Sequence, residues 1–246
     1  MRDVIAAEWL KTRSLRSTWW ALGLTAAVVI GSAATSAQMK QTSEGFAVGD
    51  AFPLAGYLAL VVVATSFGAT VMLGEYSSGL IRATTVAVPA RAEVVLAKAV
   101  VVAALWTVVG GLTALGSYAV ARLLLPGSAD GPATVTAVLG ATLLGPACAL
   151  IGLGLAVLLR HGGVVHVSGI LLLVLVPQLF SSREELPRAI NHAMIVPGWQ
   201  RLTLGYGSPE AVGVLYTSVT AAWLAYALWP LIVVAVALAV HRRRDI

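Results

Sequence analysis

Six long runs of apolar residues fill most of this 246-residue chain, and almost none of them carries an ionisable side chain. A bilayer-crossing helix needs about 20 mainly apolar residues. The runs at about Thr18–Ala37, Pro53–Leu73, Val94–Ala121, Ala133–Leu159, Gly162–Phe180 and Ala211–Val240 meet that need, although the last also permits a start nearer Val219. Within these limits only Lys98 and His166 are ionisable. With 59% hydrophobic and 11% charged residues and a mean hydropathy of +0.89, a water-soluble domain would have too little polar surface to face water. Backbone groups in lipid must be satisfied locally, so the runs predict helices. The expected fold class is all-α, a polytopic membrane protein with six transmembrane helices in one domain over residues 1–246.

The basic residues set the expected orientation. With both termini inside, the cytoplasmic set holds 11 of the 16 lysines and arginines, and Lys40, Arg122, Arg183, Arg188 and Arg201 form the outer set. That bias predicts an N-in, C-in topology. The net charge of +5 lies beside the spans, where anionic headgroups attract it, so nucleic acid is not an expected partner. Cys148 is the single cysteine and the four histidines are scattered, which gives neither a disulfide framework nor a metal cluster. The basic start, the first apolar run and Ala33-Ala34-Thr35-Ser36-Ala37 also fit a cleavable signal peptide, although the apolar run is long for one.

Three segments outside the spans stand out. Residues 1–17 predict an interfacial helix, with Ile5, Ala6, Trp9 and Leu10 on one side and Asp3, Glu8, Lys11 and Thr12 on the other. Arg13 and Arg16 are placed to snorkel towards phosphates, and Trp19 and Trp20 mark the interface. A plain basic flank is the competing reading of this segment. Residues 74–93 form the inner loop between the second and third spans. Tyr76, Leu80 and Ile81 are its apolar contacts, and Pro89 predicts the restart of a helix. Such a loop either docks on a cytoplasmic partner or rests on headgroups. Residues 181–210 alternate charged and apolar side chains between prolines, which predicts short helices dipping into the outer interface. Pro187, Pro197 and Trp199 are its gate candidates; an inert outer loop is the alternative.

The small residues Gly23, Ala27 and Gly31 in the first run, and Ala141, Gly145 and Ala149 in the fourth, predict close helix packing. Asp and Glu are absent from all six runs, so an ion-coupled carrier has no obvious seat for its ion. His166 has no acidic neighbour in sequence and reads as a histidine hydrogen-bonded within the bundle. The chain has no Gly-x-x-x-x-Gly-Lys-Ser/Thr phosphate loop and no catalytic constellation, so no enzyme activity or cofactor is expected of it. Energy for transport is expected from a partner.

The segment Glu8-Trp9-Leu10-Lys11 through Arg13-Ser14-Leu15-Arg16-Ser17 resembles the surface helix of the membrane permease subunits of type-2 ATP-binding-cassette (ABC-2) exporters. Gly74-Glu75-Tyr76, Gly79-Leu80-Ile81-Arg82, Pro89-Ala90-Arg91 and Lys98 are similar to the inner loop of that family. Leu186-Pro187 and Val196-Pro197-Gly198-Trp199 look like its outer re-entrant region. The resemblance implies two permeases, identical or homologous, with two cytoplasmic ATPase subunits that carry ATP and Mg. Tyr76 to Thr84 would then be the coupling element, oriented by Glu75, Arg82 and Arg91, and the first and fifth spans would line the permease dimer. It further implies export of an amphipathic or hydrophobic cargo across a bacterial plasma membrane. A non-transporting scaffold or sensor and an ion-coupled secondary carrier are the competing functions.

Overall fold

The computed structural model describes residues 1–40, 46–79, 91–125, 131–180, 185–203 and 217–243, and every regular element among them is helical. Six helices are long and apolar enough to cross a membrane, one for each apolar run. Helix α1 (Arg2–Ser14) ends at Leu15, whose extended backbone turns the chain into α2 (Arg16–Lys40). A 3-10 turn at Val48–Ala51 precedes α3 (Leu54–Ser77). Then follow α4 (Arg91–Leu124), α5 (Pro132–Leu159) and α6 (Gly162–Ile170). Helix α6 continues through a π-helical turn (Leu171–Leu175) into α7 (Val176–Leu179), where Pro177 supplies no backbone N–H. Two short helices, α8 (Glu185–His192) and α9 (Ile195–Thr203), come before the last span, α10 (Val219–Arg243).

Helix α5 is the axis of the bundle. It packs against α3, α4, α6, α9 and α10, and about two thirds of its span is buried (67%), against 28% for α2, 22% for α6–α7 and 28% for α10. Side chains small enough for backbone contact make this possible. A Cβ on Gly68 of α3 would overlap the Ala149 carbonyl of α5, and one on Gly152 of α5 would overlap the Thr65 carbonyl of α3. Lipid tails give apolar helices little reason to associate, so such close approach is what holds them together. Ala141, Gly145 and Ala149 are all buried in this seam. Gly23, Ala27 and Gly31 behave otherwise: they face out of the protomer, and α2 packs inward through Leu22, Thr25, Val29, Ala33 and Ala37.

Several boundaries differ from the sequence reading. Helix α3 runs on to Ser77, so Glu75 and Tyr76 stand on its last turns rather than in a loop. The last span starts at Val219, the later of the two starts considered. Helix α1 has its two sides placed as follows: its buried residues are Glu8 and Thr12, whereas Trp9 and Leu10 point outward. The polar side docks on the protein because it finds charged partners there, and the apolar side is left for lipid.

Candidate functional site

At the end of the bundle carrying α1, four charged side chains from three helices meet in a closed ring. Lys98 of α4 is 2% exposed and donates to Glu8 Oε2 at 2.5 Å and to Glu75 Oε1 at 2.8 Å. Lys11 donates to Glu8 Oε1 at 2.7 Å and to the same Glu75 Oε1 at 2.9 Å. Two carboxylates and two ammonium groups balance, so the ring carries no net charge. Isolated burial of any member would be severely unfavourable, and mutual pairing removes most of that penalty.

Local structure explains each position. Glu8 and Lys11 are three apart on α1 and share a face. The Thr12 hydroxyl bonds back to the Glu8 carbonyl and fixes that turn. Glu75 lies on the last turns of α3, and Lys98 lies two turns into α4. Burial alone pulls the Lys11 ammonium down, but hydrogen bonds and charge from Glu8 and Glu75 outweigh it, so Lys11 is held above its ordinary value. A second, looser contact runs from the Met1 amino group to Glu93 at 3.5 Å. Helix α1 is thus tied to α4 at its start and at its middle.

Beside the ring, Tyr76 turns the other way. Its ring lies under the guanidinium of Arg160 at 5.3 Å. Arg160 caps α5 in a left-handed conformation, φ 53°, which breaks the helix before His161 and Gly162. Three residues beyond Tyr76, Gly79 also has positive φ (70°) and turns the chain away from α3.

The sequence candidates divide unevenly. Glu75 and Tyr76 fall at the site, with Gly79 at the chain exit. Leu80, Ile81, Arg82, Thr84 and Pro89 lie outside the described residues, and Arg91 opens α4 with its side chain undescribed. Lys11 belongs to the ring, while Trp9, Arg13 and Arg16 are exposed; the Trp19 indole donates to the Arg13 carbonyl at 3.1 Å and sets the α1–α2 corner. At the opposite end Pro187 is half-buried, and Pro197 and Trp199 are fully buried. Trp199 stacks on Tyr57 of α3 at 4.9 Å and is part of the core. His166 bonds to the Gly162 carbonyl of its own helix at 2.7 Å and lines a shallow crease between α3 and α6. No group of metal-ligating side chains occurs among the described residues.

Sequence reasoning gave no site role to Glu8, Lys98 or Arg160 from their side chains. A signal was present for the first two: in a chain this apolar, Glu8, Lys11, Glu75 and Lys98 are complementary charges at three span ends on one predicted side.

Residues 4–179, from α1 through α7, match the family model described as ABC-2 family transporter protein. The chain belongs to the ABC-2 transporter family. No curated relative matches it. It is therefore a multi-pass permease subunit of an ABC transporter, the transport subunit rather than the ATPase, and it partners an ABC ATPase and membrane lipid. The matched stretch of the permease includes the whole ionic ring.

Proposed function

We propose that this permease exports an amphipathic or hydrophobic substrate, and that ATP hydrolysis on a separate subunit drives it. The working unit pairs two permeases, identical or homologous, with two cytoplasmic ATPases that hold ATP and Mg, in a bacterial plasma membrane. The α1 end faces the cytoplasm, as the distribution of basic residues favours. The observation that carries this reading is the ionic ring: it ties α1, α3 and α4 together, and α3 and α4 are the two helices that flank the chain segment expected to meet the ATPase. A push on residues 74–93 is then passed to three helices as one body, because four ion pairs shared among three helices favour one well-defined arrangement. The outward faces of α2 and α6 are available to the second permease, in line with their low burial within one chain. Spans poor in polar side chains suit a cargo that travels along the protein–lipid boundary.

The test is reconstitution with the partner ATPase in inside-out vesicles. An amphipathic dye should accumulate only with ATP and Mg, and collapsing the ion gradients should leave the rate unchanged. Accumulation driven by a gradient without ATP would overturn the reading in favour of a secondary carrier. ATP hydrolysis that tracks an external ligand without any solute movement would favour a sensor.

A further inference from the structure

We propose that Arg160 is a receptor for a single carboxylate of the partner ATPase, a second docking point at the foot of α5. This inference rests on the ATPase-coupled reading above. Its starting point is an incomplete side chain. Arg160 Nε and Nη2 are both buried and neither has a hydrogen-bond partner. These two nitrogens are not an arbitrary pair: their N–H groups project in parallel from one edge of the guanidinium and form the fork that grips a carboxylate with two bonds. Arg160 as a whole is half-buried, but its two fork nitrogens are enclosed and vacant, an unfavourable arrangement that an incoming anion relieves. The Tyr76 ring, 5.3 Å away, covers the guanidinium face and leaves the edge as the side for a partner.

The chain has little to offer that fork. The run from Tyr76 to Ala92 contains Arg82 and Arg91 but no Asp or Glu, and the α5–α6 turn Arg160-His161-Gly162-Gly163 has none either. Of the acids at this end, Glu8 is committed to the ring, Glu75 holds both ring ammonium groups through Oε1 and keeps Oε2 buried without a partner, Glu93 pairs with the Met1 amine, and Asp3 is exposed on α1. The inner surface therefore has surplus arginine, and its complement is an acidic protein surface. A lipid phosphate fits less well. Arg160 ends the most enclosed helix of the bundle, below its centre, whereas lipid reaches the perimeter helices α2, α6 and α10. The planar slot beside Tyr76 also suits a flat carboxylate. The fork opens as the ATPase presses the ends of α3 and α5 apart, so the bond forms during engagement and adds specificity to a contact otherwise made by the 74–93 segment.

The test uses the full permease co-expressed with its ATPase. Co-purification of the unaltered complex establishes the underlying reading on its own. In Arg160→Lys, a zero-length carbodiimide should join the new amine to an Asp or Glu of the ATPase, identified by peptide mass spectrometry. The couplings of Lys11 and Lys98 to Glu8 and Glu75 serve as internal standards. Arg160→Gln should insert and elute as the native chain does, yet bind the ATPase at least about tenfold more weakly, the usual order for losing a charged hydrogen-bonded contact. A cross-link from position 160 to an acid of the same chain, Asp245 included, overturns the proposal. So does unchanged ATPase affinity in Arg160→Gln, and a co-purifying anionic phospholipid lost only in that variant would point to the membrane instead.

Discussion

The two ends of this bundle are held by different balances of forces. At the α1 end, four charged side chains make four short ion pairs and join three helices. At the far end, a single ion pair, Lys40 to Asp50, ties the end of α2 to the 3-10 turn, while Trp199 stacks on Tyr57, Phe52 meets the edge of Tyr57 at 5.9 Å, and single polar bonds finish the packing. Those bonds run from Tyr226 to the Gly140 carbonyl, from Trp229 to that of Ala193 and from Asn191 to that of Pro177. Ion pairs are directional and depend on every member, so they favour a few discrete arrangements. Apolar stacking degrades gradually as surfaces slide. The α1 end is therefore suited to receive a discrete signal, and the far end to give way and reclose.

The largest effect that would break this comparison comes from Lys98. Lys98→Ala leaves two carboxylates with only half-exposed Lys11 between them, and should reduce stability by roughly 3–5 kcal/mol in a detergent unfolding titration. Replacing all four members together (Glu8→Met, Lys11→Met, Glu75→Met, Lys98→Met) should recover most of that loss, since buried ion networks are often matched by apolar side chains of similar volume. ATP-dependent transport should stay impaired in the fourfold variant. Full transport there would show that the ring holds the fold and transmits nothing.

Trp199→Ala is the matching test at the far end. Removing a buried indole should lower stability by about 3 kcal/mol. The ring is untouched, so the ATPase should still bind with native affinity while substrate leaks or is released at a changed rate. If instead ATPase binding weakens as it does in Lys98→Ala, the two ends do not divide the work as described.

Much of the fold was legible because the lipid constraint is severe: about 20 apolar residues admit one conformation, and all six runs proved helical. Boundaries were less so, since hydropathy marks where lipid ends and not where a helix does. Glu75 and Tyr76 follow the apolar run of α3 yet continue its helix, because Lys98 and Arg160 await them one helix away. The docking side of α1 was not legible for a related reason: a helical wheel separates the two faces but does not say that Glu8, on the polar one, meets Lys98 of α4. Trp199 is a gate candidate from its place after Pro197; its stacking on Tyr57, over 140 positions earlier, is a long-range fact that no local pattern encodes.

The smallest effect concerns Lys11, whose side chain is 49% exposed and so makes screened ion pairs. Lys11→Met should lower stability by less than about 1 kcal/mol, in the range of exposed pairs. Its pH signature is more telling than its size. Because the folded ammonium is held above the ordinary value of 10.5, its contribution is complete below pH 10.5 and fades only as pH rises through the folded value. Protease protection of α1 should accordingly stay flat from neutral to mildly alkaline pH and fall beyond 10.5, with the fall reduced in Lys11→Met. A drop already present near neutral pH in the native chain would mean that α1 is held by something other than this ring, and the contrast between the two ends would lose its basis.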